Sequence, residues 1–205
     1  MSLTAATKQI QRLVGAKQDG VYGPNTAARI LTALGTQPLV PPVPGPDLSE
    51  ELDDRTLRNF RTLEPKAQEK FTPFIRQAKA VANSYGVEYV AISGTRGKKE
   101  QNDLYAKGRT KPGRVVTNAR YGYSNHNFGI ALDFGVFKGT RYLDSSDPEL
   151  AAKVHKAVSL VAKQHGIDWG GSWNGFRDLP HFEVSAPLSM AEKRRRLFAG
   201  KPMLG

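Results

Sequence analysis

The chain has 205 residues, a net charge of +11 and no cysteine. That length allows one proper core plus a small appendage. The missing thiols exclude a disulfide framework and a thiolate-closed zinc site, and no apolar run nears the roughly 20 residues that span a bilayer. A positive balance suits nucleic acid or an anionic envelope. The basic residues are scattered, however, and carry no recognition motif, so we expect a monomer with no nucleic-acid partner and no stable membrane insertion. The start, MSLTAATKQIQRLVGAKQDG, has no basic-then-apolar leader, and cytoplasmic synthesis is expected.

In chain order, residues 4–34 suggest two short helices, ATKQIQRLVGA and NTAARILTAL, the second opened by Gly23 and Pro24. DGVYG (19–23) is the turn between them. GTQPLVPPVPGPD (35–47) holds five prolines and reads as a semi-rigid polyproline spacer. The expected division is a helical module over 1–36, a linker over 37–47 and a main domain over 48–205. LSEELDDRTLRNFRTL and EPKAQEKFTPFIRQAKAVANSYG follow as helices, with Pro73 kinking or breaking the second.

VEYVAIS (87–93) is a β-branched strand, KKEQNDLYAKG a short helix, and GRTKPGRVVTNARYGYSN a long loop. Loops of that length in a compact domain are usually functional, which makes Tyr105, Arg109, Thr117 and Tyr123 a group of candidate substrate contacts. DPELAAKVHKAVSLVAKQHG (147–166) is a helix whose last turn places His165 where it complements the helix dipole. His155 is expected on its solvated side, and neither histidine is expected to bind metal. Trp169 is assigned to the core and Trp173 to core or groove. A strand at 181–184 and a basic C-terminal helix complete the chain, with Lys193-Arg194-Arg195-Arg196 read as a solvated face. The fold class is therefore α+β: a small antiparallel sheet with helices packed on one side, plus the N-terminal helical module.

The chemistry concentrates in SNHNFGIALDFG (124–135) and DLPHFEV (178–184). His126, Asp133 and His181 offer two imidazoles and a carboxylate, a three-ligand set that leaves zinc one open position for water or a substrate carbonyl. From Phe128 to Phe134 the pattern has period two, so Phe128, Ile130, Leu132 and Phe134 face the core. Gly129, Ala131 and Asp133 take the other face. His126 lies seven residues before Asp133, so the chain must bend between them for both to reach one ion, and Gly129 is the place for it. Asp178 and Glu183 are the two carboxylates near enough in sequence to act as a general base.

SNHNFGIALDFG resembles the S-x-H-x-x-G-x-A-x-D signature of the zinc peptidases of peptidoglycan, the family of D-alanyl-D-alanine peptidases and L-alanyl-D-glutamate endopeptidases. DLPHFEV is similar to that family's acidic-x-x-His element, though Pro180 stands where an aromatic residue is frequent. ISGTRGKKEQNDLYAKGRTKPGRVVTNA (92–119) resembles the segment before the zinc motif in the L-alanyl-D-glutamate branch, which includes many phage endolysins. The resemblance implies one zinc held by His126, Asp133 and His181, and Asp178 as general base. It further implies Arg96 at the oxyanion and Ser124 at the substrate or beside the ligands; with Asp178 as base, Glu183 is left to act as a partner of His181. IQRL…DGVYGPNTAARI resembles the repeat of peptidoglycan-binding modules, here without a clear third helix.

The function implied is that of an endolysin cleaving a stem-peptide amide, most simply L-alanyl-D-glutamate, with peptidoglycan as partner. It would be made in the host cytoplasm and act on the wall after release. A D-alanyl-D-alanine carboxypeptidase would instead need a cationic pocket for the terminal carboxylate. A non-catalytic wall-binding protein would be expected to lack a ligand or the base.

Overall fold

The computed structural model describes residues 3–13 and 52–204. The second N-terminal helix, its turn and the proline spacer lie outside the described residues. Helix α1 (Leu3–Leu13) covers much of the first expected helix, with Thr7 and Gln11, one turn apart, buried.

Asp53 caps α2 (Asp54–Phe60), its carboxylate accepting from Thr56 N at 2.8 Å. Helix α3 (Pro65–Ser84) runs through Pro73 without a break. Its apolar stripe of Phe71, Phe74, Ile75, Ala78 and Ala82 stays buried past the proline, while Glu69, whose carbonyl loses its partner there, is exposed to water. Tertiary packing outweighs the local penalty. Strand β1 (Glu88–Ser93) follows, then α4 (Lys98–Ala106) and the long irregular stretch before a single 3-10 turn, Asn125–Phe128. Beyond it come β2 (Ala131–Lys138), β3 (Arg141–Tyr142), α5 (Leu143–Ser146), α6 (Pro148–Gln164), β4 (Ile167–Trp169), β5 (His181–Val184) and α7 (Met190–Phe198).

The sheet runs β1-β2-β5-β4 with β3 on the far end of β2, and every pairing is antiparallel. Helices α3 and α6 pack together against the sheet. Between them and the strands lies an aromatic cluster: Phe74 is 5.2 Å from Phe182 and Tyr89 stacks on Phe134 at 4.9 Å, centroid to centroid. Leu132, Phe134 and Phe182 are wholly buried on this side, as the period-two pattern requires. The opposite side chains of β2 and β5 face a cleft.

Two helix histidines depart from expectation. His155 is fully buried rather than solvated, because Tyr89 Oη lies 2.8 Å from its Nδ1 and Asp144 Oδ1 lies 2.7 Å from its Nε2. His165 is the residue that caps α6, and burial lowers its pKa, so it is a poor source of charge for the helix dipole.

Candidate metal centre and active-site cleft

The pairing of β2 with β5 sets Asp133 directly opposite His181, and the pairing with β1 sets Ser93 opposite the same aspartate. His126 reaches them from the 3-10 turn. Gly129 caps that turn at φ 70°, in the left-handed region. The alternation from Phe128 is therefore interrupted, and β2 begins at Ala131. This is the bend that the odd spacing of His126 and Asp133 demands. Ser124 caps the turn from its other end, its hydroxyl accepting from His126 N at 3.4 Å.

His126 Nε2 lies 3.0 Å from Asp133 Oδ1, His181 Nδ1 lies 3.0 Å from the same oxygen, and the two nitrogens are 3.1 Å apart. The partners of the outer nitrogens assign the tautomers. His126 Nδ1 is 2.8 Å from Gly94 O, an acceptor only, so that nitrogen carries the proton. His181 Nε2 is 2.7 Å from Glu183 Oε2 and donates to it. With the outer nitrogens so committed, the inner nitrogen of each ring, when the ring is neutral, turns a lone pair towards the same carboxylate oxygen. This donor set calls for a cation, and it fits zinc: neutral imidazoles, one monodentate carboxylate, and outer partners that fix each ring.

Without a metal, a proton takes the cation's place between these groups. Burial pushes the Asp133 carboxyl up, but the imidazoles of His126 and His181 outweigh it and hold the group well below the usual range. Burial lowers His181, while its contacts with Asp133 and Glu183 outweigh that and bring it up to about 9. Glu183 stays low because the donors His181 and Asn125 overcome its burial.

The cluster lies in a cleft of about 1110 Å³. Asp178 lines the same cleft, and no described residue donates a hydrogen bond to its carboxylate. Burial first, and the charge of Asp133 second, raise its pKa. Arg96 also lines the cleft. Its Nη2 donates to Asp133 Oδ2 and sits 3.2 Å from His126 Nε2, its Nε donates to Ser93 Oγ at 2.9 Å, and its Nη1 has no partner among the described residues. The segment after β1 is pinned to the histidine turn by Arg96 N donating to His126 O at 3.0 Å.

Of the loop candidates, Tyr105, Thr117, Tyr123 and Ser124 line the cleft and Arg109 does not. Arg109 donates to Tyr105 O, Thr117 O and Asn118 Oδ1 at 2.7, 3.0 and 2.8 Å, and its guanidinium lies 4.2 Å from the Tyr105 ring centroid. All of this bonding is spent on bracing the loop, which leaves the guanidinium little capacity for substrate. Trp173 is a groove residue, its ring 4.9 Å from that of His181. Trp169 packs at the core edge and donates to Leu179 O at 2.8 Å.

Two residues here, Tyr142 and Asn125, went unread in the sequence, and Lys193 was read as part of a solvated face. Tyr142 lines the cleft, its phenol pushed up to about 12 by burial and by the charges of Asp144, Asp133 and Asp178. Asn125 donates to Glu183 Oε2 at 2.7 Å, and Lys193 reaches Asn125 from α7. The position of Asn125, adjacent to a proposed ligand, was the one available signal.

Residues 117–184 match a family profile described as D-alanyl-D-alanine carboxypeptidase. The chain is 41% identical over 120 residues to the peptidoglycan L-alanyl-D-glutamate endopeptidase CwlK of Bacillus subtilis (strain 168), spanning 55% of this chain and 72% of that protein. Among solved structures, the L-Ala D-Glu endopeptidase ChiX of Serratia marcescens aligns over 68% of this chain and 96% of its own, at 21% identity and a TM-score of 0.46. The vancomycin-resistance D,D-pentapeptidase VanY from a VanB-type cassette, solved with Zn(II), aligns over 69% and 81%, at 13% identity and a TM-score of 0.41.

Proposed function

We propose, from the premise that this chain belongs to the M15 family of zinc peptidases of peptidoglycan, that it hydrolyses the L-alanyl-D-glutamate amide of the stem peptide. The observation that carries the reading is the meeting in one cleft of two parts: three converging ligand atoms on His126, Asp133 and His181, and a separate carboxylate at Asp178 that accepts no hydrogen bond from the described residues. The choice of bond rests on the relative that shares 41% of its residues over the matched region.

His126, Asp133 and His181 would hold the zinc, which when bound supplies Lewis acidity and acidifies water. Asp178 takes a proton from the attacking water and returns it to the leaving amine nitrogen. A raised pKa suits that double duty better than an ordinary aspartate would. Glu183 is committed to His181 and Asn125, which leaves Asp178 as the base. Arg96 keeps Asp133 Oδ2 occupied, so that only Oδ1 faces the histidines. It directs its remaining donors at the carbonyl oxygen as charge develops there. Tyr105, Thr117, Tyr123 and Ser124 hold the stem peptide in register along the cleft.

The setting we propose is an endolysin that reaches the wall after release from the cytoplasm. The likeness of residues 10–30 to wall-binding repeats supports it, as does the +11 charge, which favours an anionic wall. Mass spectrometry of muropeptides from purified walls tests the whole reading. Cleavage after L-alanine, exposing a D-glutamate amine, is the expected product. Loss of a terminal D-alanine alone would make the protein a carboxypeptidase, and no release by zinc-loaded protein would make it a binder.

A further inference from the structure

The run Lys193-Arg194-Arg195-Arg196 does not behave as one solvated face. Arg195 and Arg196 pair with Glu192 at 2.8 and 3.1 Å on the outside of α7. Lys193 is only 9% exposed, and its ammonium donates to Asn125 Oδ1 at 3.0 Å across 68 positions of sequence. Asn125 Nδ2 donates to Glu183 Oε2 at 2.7 Å, and that same oxygen lies 2.7 Å from His181 Nε2.

The direction of this chain is fixed from its far end. An ammonium has donors and no acceptor, so the oxygen of the Asn125 amide must face Lys193 and its NH2 must face Glu183. A carboxylate oxygen accepts from both sides, so His181 must present a proton at Nε2, which leaves Nδ1 as the nitrogen available to a metal. Reversing the amide would set its NH2 against the ammonium and its oxygen against the carboxylate, two repulsive contacts.

We propose that Lys193 and Asn125 are positioning residues that lock His181 in the metal-holding tautomer, making α7 part of the active centre although it touches neither metal nor scissile bond. This rests on the zinc peptidase reading above. Outer partners of metal-bound histidines are typically worth 10–100-fold in metal affinity.

The test is the zinc dissociation constant of the full chain, measured by competition with a chromophoric chelator, alongside kcat and KM on a soluble muropeptide. Lys193→Met should weaken zinc binding by about 10–100-fold, and Lys193→Arg should restore most of it. The sign discriminates, because deleting a nearby positive charge that did no positioning would leave zinc binding equal or tighter. Asn125→Ala should weaken binding similarly, and the double variant should lose little more than either single one, since both break the same chain. It also carries the test if Lys193→Met fails to fold. Wild-type zinc affinity in both single variants, or additive losses in the double, overturns the proposal. A wild-type chain that neither binds zinc nor cleaves would bring down the functional reading itself, and this proposal with it.

Discussion

Glu183 Oε2 stands 2.7 Å from His181 Nε2, on the opposite side of the ring from the nitrogen that faces Asp133. A carboxylate so placed orients a ligand and is poorly sited to take a proton from the reacting water. Asp178→Asn should therefore keep zinc at one per chain while turnover falls about 10²–10⁴-fold. Glu183→Gln should weaken zinc binding and retain turnover when zinc is saturating. Metal analysis beside kcat for both variants decides it; a dead Glu183→Gln with zinc fully bound would transfer the base to Glu183.

The ligand assignment predicts that chelation abolishes muropeptide cleavage and that added zinc restores it. His126→Ala and His181→Ala should each lose tight zinc binding, since two protein ligands remain. Full turnover by thoroughly stripped protein, checked by elemental analysis, would remove the metal from the account.

Asp178 also predicts a pH signature in the metal-free protein. Its carboxyl is raised by burial and then by Asp133, so the fold disfavours its charged form. The sign follows: relative stability from this group is full below its unfolded pKa near 3.8 and is lost as pH rises through the higher folded value. With chelator present, Asp178→Asn should thus be more stable than wild type in urea at pH 7, and the gap should close as pH falls towards 4. A gap of constant size across that range would contradict the burial argument.

Gly170 supports Asp178 and His181 by its lack of a side chain. A Cβ there would meet the backbone Asp178 O at 2.6 Å and the side-chain His181 Cβ at 3.0 Å, and neither a carbonyl nor a Cβ can swing aside without moving the main chain. Gly170→Ala should leave circular dichroism nearly unchanged yet lower kcat by at least about tenfold, because small displacements of reacting groups are costly. Wild-type kcat in this variant would mean that the loop yields without moving either residue.

A chain starting near Asp47 keeps every proposed site residue, and all the described core residues lie at Leu52 or beyond. It should fold and cleave a soluble muropeptide as fast as the full chain, but bind and lyse intact walls more weakly, since tethering raises local concentration at an insoluble substrate. The difference should survive moderate salt, which screens simple charge attraction. Equal wall binding would end the case for a targeting module, and a failure to fold would place residues 4–34 in the domain's structure.

The convergence of His126, Asp133 and His181 and the bend at Gly129 were legible because ligand chemistry restricts residue type and strands alternate with period two. What escaped was set by partners distant in sequence. The burial of His155 depends on Tyr89, 66 positions away, and the role of Lys193 on Asn125. The onset of β2 was misplaced because alternation reads the same through a 3-10 turn as along a strand. Pro73 was weighed by local cost, whereas the apolar stripe of α3 continues past it. Arg109 was grouped with the contacts because a loop sequence does not tell a brace from a wall.

The opposition of Asp133 and His181 across β2 and β5 ties the chemistry to strand threading. Slipping β2 by one position would turn Asp133 into the apolar layer and swing Leu132 or Phe134 into the cleft. Such a chain could retain normal secondary structure while having no place for an ion. Zinc uptake per chain thus doubles as a census of correctly threaded sheets, and a preparation that takes up less than one equivalent reports mispaired strands that circular dichroism would pass as native.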